Sequence, residues 1–186
     1  MVSEVEFELS AEQFELMGYP RLTQGQPLSV IFDAGVLLPD PAAQAWFTVQ
    51  KEPLPQRLEQ VGRARYAFTG QILEADIVKD DGFELATLLI QTGELHFRAV
   101  CAPTDDGRLP FGTWETRTIA GVAVLQGIVE DDYSSPVGRS TGVTIWRFRR
   151  LILTPGDTHF GIWHTSDDLP DSPFRYDQVV VECRLH

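Results

Sequence analysis

Between residues 66 and 154 the chain alternates branched or aromatic residues with polar ones at period two, and each run stops at Asp, Gly or Pro. That period sends successive side chains to opposite faces of an extended backbone, so the segment predicts a sheet with one face on a core. The runs cover residues 66–78, 84–91, 94–102, 118–130 and 141–154. Lys79-Asp80-Asp81-Gly82 and Thr92-Gly93 are short enough for tight reversals, where Gly supplies the positive φ. The first three runs therefore predict an antiparallel meander. The last two predict a returning hairpin, with bends at Gly121 and Gly127, and Gly70 marks a bend or bulge in the first run.

The flanks extend the same body. Val5, Phe7 and Leu9 alternate with acids, which predicts a short strand facing the core. Ser10 with Gln13 forms a capping box for one helical passage ended by Gly18 and Pro20. Val30-Ile31-Phe32 and residues 45–49 read as strands, while Pro39, Pro41, Pro53 and Pro55 forbid a long helix. Residues 51–62 read as a connector with a short helix around 56–61, and residues 178–185 as a closing strand that pairs with N-terminal material.

The chain is thus a single domain over residues 1–186, in sections 1–62, 63–154 and 155–186. Its class is mainly β: an antiparallel barrel or a β-sandwich, framed by N- and C-terminal strands, with at most one or two short helices. Three meander strands followed by a two-strand return resemble the oligonucleotide/oligosaccharide-binding (OB) barrel over about half the chain. The resemblance implies that the third strand contributes to a ligand face. Residues 103–117 depart from it, lacking the helix that such barrels often place there.

Charge narrows the partners. The net charge is −12, and Glu4, Glu6, Glu8, Glu12 and Glu15 all precede the first basic residue, Arg21. This field repels nucleic acid and anionic membranes at long range and suits solubility, or docking to a basic partner. The longest apolar runs, such as 119–124, are too short to span a bilayer, and the acidic opening residues are unlike a secretory signal. The expected location is therefore cytoplasmic. Cys101 and Cys183 sit in apolar strand-like contexts without metal-ligand spacing, which favours two buried free thiols, with a single disulfide between them as the alternative.

Trp146-Arg147-Phe148-Arg149-Arg150 carries the best candidate chemistry, because rings stack on bases and guanidiniums hold phosphates. Strict alternation, however, puts Arg147 and Arg149 on one face and Trp146, Phe148 and Arg150 on the other. Only a bulge would bring rings and charges together. Otherwise Trp146 and Phe148 belong to the core and the arginines pair with acids on neighbouring strands. His96 and Arg98 share a face of the third meander strand, so the OB resemblance adds them to the candidate surface. Glu74 and Asp76 share a face and are natural partners for Arg98, Arg147 or Arg149. His159 and His164 are five residues apart, which on a strand sends them to opposite faces, so no metal site is expected.

The Asp-Asp-Gly runs at 80–82 and 105–107 read as turns rather than calcium loops. No nucleophile elbow and no phosphate-cradling glycine motif is present, and no cofactor is implied. The expected function is a non-catalytic intracellular module that binds a protein partner through an acidic surface; Phe111, Trp114 and Tyr133 in the loops are candidate anchors, with structural packing the preferred reading of all three. A single-stranded nucleic-acid binder using His96, Arg98, Trp146, Arg147 and Arg149 is the alternative. An enzyme or carrier with a pocket at the barrel mouth is the third reading.

Overall fold

The computed structural model describes residues 4–9, 21–35, 47–80, 83–101, 118–129, 137–169 and 177–186. Those residues form eleven strands: β1 (Glu4–Leu9), β2 (Pro27–Gly35), β3 (Phe47–Gln50), β4 (Arg57–Gly62), β5 (Arg65–Asp80), β6 (Phe83–Thr92), β7 (Leu95–Cys101), β8 (Thr118–Val129), β9 (Thr141–Leu151), β10 (Trp163–Ser166) and β11 (Gln178–Leu185). Eight of them close into a mixed barrel, running β5, β6, β7, β2, β9, β11, β1, β8 and back to β5. Because β2 also pairs with β8, this circuit divides into two five-strand circuits that share those two strands. One holds β5, β6, β7, β2 and β8; the other holds β1, β8, β2, β9 and β11.

The meander is where the sequence pattern puts it. β5, β6 and β7 pair antiparallel in order, and the β6–β7 reversal is made by Gly93 at φ 66° and Glu94. The bulge in β5 falls between Ile72 and Glu74 rather than at Gly70. The closing strand is also where expected, since β11 pairs antiparallel with β1 from Val179 to Arg184.

Three expectations fail. The return after the meander is not a hairpin of β8 with β9: β2 lies between them, pairing with β8 through Val30–Gly35 and with β9 through Pro27–Val30. β2 also runs parallel to β7, so the barrel is mixed rather than wholly antiparallel. Residues 56–61 are not helical, because Arg57–Gly62 is the first arm of a β4–β5 hairpin. The helix over residues 10–20 lies outside the described residues, as do Phe111, Trp114 and Tyr133.

The core explains why both circuits hold. Inward residues of every barrel strand form one apolar cluster. Phe7 on β1 meets Phe32 on β2 edge to face at 5.6 Å, and Phe68 on β5 meets Phe97 on β7 at 5.0 Å. Phe32 and Phe97 are register neighbours in the parallel pair, so the four rings follow one another through both circuits. Such edge-to-face contacts add about 0.5–1.5 kcal/mol each beyond area burial. At Gly127 on β8, a Cβ would lie 2.3 Å from Phe7 Cδ2, so the absence of a side chain there makes room for the ring.

Candidate binding surface

β9 carries the candidate cluster, and it does not alternate cleanly. Val143, Ile145 and Phe148 are buried, a spacing that breaks period two. The register shows why: Arg147 faces Glu182 of β11 while Ile145 faces the next residue, Cys183, leaving Trp146 as an extra residue. The bulge turns Trp146 outward, where it is 44% exposed, and beneath the guanidinium of Arg184 at 4.6 Å. Trp146 therefore shares the outer face with Arg147 and Arg149, and Phe148 alone of the two rings enters the core.

The arginines on that face are already engaged. Arg147 donates to Glu182 Oε2 from Nε at 2.8 Å and from Nη2 at 2.5 Å. Arg149 sets its Nε against the other oxygen of Glu182 as an ion pair without hydrogen-bond geometry, and its Nη2 lies 4.0 Å from Glu6 Oε1. Glu6 also accepts from the Ala64 amide at 3.1 Å. Ala64 sits at φ 50°, a left-handed conformation that costs an L-residue about 1–2 kcal/mol. The Glu6 backbone amide in turn donates to the Tyr66 hydroxyl at 2.7 Å, and burial pushes that phenol upward. Carboxylates from β1 and β11 thus neutralise two β9 arginines and hold the β4–β5 reversal in place.

His96 and Arg98 belong to a second cluster. Arg98 is buried and makes a two-pronged pair with Asp33 of β2, Nε to Oδ1 at 2.6 Å and Nη2 to Oδ2 at 2.8 Å. The backbone at Gly138 covers it. Arg139 places Nη1 3.5 Å from His96 Nε2 and Nη2 3.6 Å from Glu74. Burial and the Arg139 charge hold the His96 imidazole below its ordinary value. Glu74 accordingly pairs with Arg139, not with Arg98, Arg147 or Arg149.

A third ion pair closes the β9 end. Asp177, fully buried, accepts from Arg150 Nε at 2.6 Å and from the Leu153 and Thr154 amides at 2.8 and 3.1 Å. Burial alone would raise this carboxyl, but those hydrogen bonds and the Arg150 charge bring it below the usual range. The turn after β9 also brings His159 and His164 together, their rings edge to face at 5.0 Å rather than on opposite faces. No group of three metal-ligating side chains occurs among the described residues. Cys183 is a free thiol in the core, pushed up to about 12 by burial, and it donates to Val5 O at 3.4 Å. The Cys101 side chain lies outside the described residues.

Sequence reasoning missed Glu6, Asp33, Asp177 and Glu182. Glu182 was the findable one: a carboxylate within Val-Val-Val-Glu-Cys demands a cation beside it. Two surface grooves flank β4, of about 400 and 140 Å³. No helix among the described residues is long and apolar enough to cross a membrane. No protein-family model matches the chain, and neither a curated protein nor a solved structure matches it.

Proposed function

We propose that this chain is an intracellular, non-catalytic binding module that engages a protein partner through its acidic outer surface. One observation carries the reading: the arginines that would hold phosphate are neutralised from within, Arg98 by Asp33 and Arg147 and Arg149 by Glu182 and Glu6. The whole chain carries a net charge of −12, and Trp146, Val61, Phe160 and Ile162 are exposed, a mixture that suits protein contact better than a phosphate backbone. The test is capture of the tagged chain's partners from native extract with and without nuclease, followed by binary binding with the purified partner. A nuclease-resistant partner that binds directly, and more weakly as salt rises, supports the module. Partners that all vanish with nuclease overturn it.

The bulge favours one alternative, a single-stranded nucleic-acid binder, because it sets Trp146 on the face of Arg147 and Arg149. Salt-sensitive binding of an unlabelled-sequence single strand that Arg147→Ala/Arg149→Ala abolishes would establish that alternative.

A further inference from the structure

The bend that returns β9 to β10 is tied together by its own backbone. The Asp157 amide donates to Thr154 O at 3.2 Å, the Phe160 amide to Asp157 O at 3.2 Å, and the Ile162 amide to His159 O at 3.0 Å. Gly156 and Gly161, at φ 87° and 79°, supply the left-handed backbone that these successive reversals need. The Gly161 amide also donates to Ile152 O at 2.7 Å, which anchors the bend to the residue after β9. Asp157 holds His159 at two points: its Oδ1 accepts from the His159 amide at 2.8 Å and lies 3.4 Å from ring Nδ1. Thr158 Oγ1 stands 3.2 Å from the same nitrogen. Two oxygens beside Nδ1 favour the proton there and leave Nε2 its lone pair, the arrangement that orients a metal-ligating imidazole. His164, on β10, keeps its own Nε2 out of solvent with no hydrogen-bond partner among the described residues. A buried nitrogen of that kind calls for a partner.

We propose that His159 and His164 form a two-imidazole site for a divalent transition-metal ion of the nickel, copper and zinc group, with water completing the shell. The separation fits. An imidazole nitrogen sits about 2.0–2.1 Å from such an ion, so two rings sharing one at a square or tetrahedral angle have centres about 4.5–5.2 Å apart. Here the two ring centroids are 5.0 Å apart, with their planes at 88°. The donors select the ion: imidazole suits this group of metals, whereas calcium and magnesium take oxygen ligands. The cation opposite His164 is offset, because Arg150, its partner in the β9–β10 register, is engaged by the fully buried carboxylate of Asp177. No third side-chain ligand joins the pair among the described residues, so the site holds its ion weakly and exchangeably rather than as a structural centre.

The experiment strips the whole chain with a chelator and titrates it with Ni(II), Cu(II), Zn(II) and Mg(II) by calorimetry. An electron paramagnetic resonance spectrum of the copper-loaded chain counts the nitrogen ligands. The same measurements are made on His159→Ala, His164→Ala and the double variant, each checked for folding by circular dichroism. The expected result is one saturable site per chain, tightest for copper, with no binding of magnesium and two coordinated nitrogens. Each single variant weakens the ion by about ten-fold or more, and the double variant abolishes the site. His159 is exposed on the bend, so if His164→Ala fails to fold, the copper spectrum of His159→Ala decides, with one nitrogen expected in place of two. No saturable binding overturns the proposal and leaves the two rings in packing contact alone. Binding that survives in the double variant, a loss in only one of two folded single variants, or a wild-type copper spectrum with fewer than two nitrogens overturns it as well.

Discussion

Replacing Glu182 by Gln tests the internal neutralisation of arginine on two scales at once. The carboxylate is 11% exposed and receives two hydrogen bonds from Arg147, with Arg149 against its second oxygen. Hydrogen bonds to a charged group contribute about 1.5–3 kcal/mol each when buried. Both guanidiniums are about a third exposed, at 38% and 31%, so water recovers much of that. A net loss of about 2 kcal/mol follows, which for a chain of this length lowers the melting temperature by about 4–8 °C. The same change releases up to two guanidiniums beside Trp146. Each new phosphate contact steepens the dependence of log K on log salt by about 0.7 for single strands, so the variant gains up to roughly 1.4. Thermal melting and oligothymidine binding across a salt series measure the two effects. An unchanged melting temperature would refute the stabilising role of the pair. An unchanged salt slope would refute the claim that Glu182 keeps these arginines from phosphate.

Other outcomes follow from the packing. Gly127→Ala forces its Cβ into the Phe7 ring and costs about 1–3 kcal/mol in urea unfolding, and Phe7→Leu in the same chain recovers part of it; simple additivity would contradict the contact. Asp177→Asn removes the carboxylate that receives the Arg150 hydrogen bond and costs about 1–3 kcal/mol at neutral pH. Because folding lowers the Asp177 carboxyl, its contribution is full above the ordinary value near 3.8 and is lost as pH falls through the lower folded value. The gap between variant and wild type should therefore close in acid, as stability measured from pH 7 downward would show. Cys183 should resist alkylation in the native state and react on denaturation, and rapid native labelling, read by mass spectrometry, would contradict its burial.

Periodicity made the local parts of this fold legible. Val179, Val181 and Cys183 take the core face of β11, though Val180 and Glu182 between them are buried as well, and β11 meets β1 as expected of a closing strand. The meander was legible because its pairings join neighbours in sequence. Non-local pairing was not: nothing in Val30-Ile31-Phe32 says that β2 will enter between β8 and β9. Arg57-Leu58-Glu59-Gln60 carries helix-forming residues, but pairing with β5 overrides that local preference. At the candidate surface, period two put Trp146 with Phe148, and one extra residue reversed it. The ion partners were hidden for a related reason, since Glu6 and Glu182 come from opposite ends of the chain to reach the same pair of arginines.

The shared β2–β8 pair also orders events during synthesis. The circuit of β2, β5, β6, β7 and β8 is complete once Val129 has emerged from the ribosome, so a nascent chain can close it while translation continues. The other circuit must wait for β9 and β11, which ends at Leu185. Until then β1 holds Val5, Phe7 and Leu9 without its β11 partner, and the Pro27–Val30 edge of β2 stands without β9, open to chaperones or to neighbouring chains. Interrupting translation between these two points should leave a half-closed barrel, and the final strand is what turns it into a finished one.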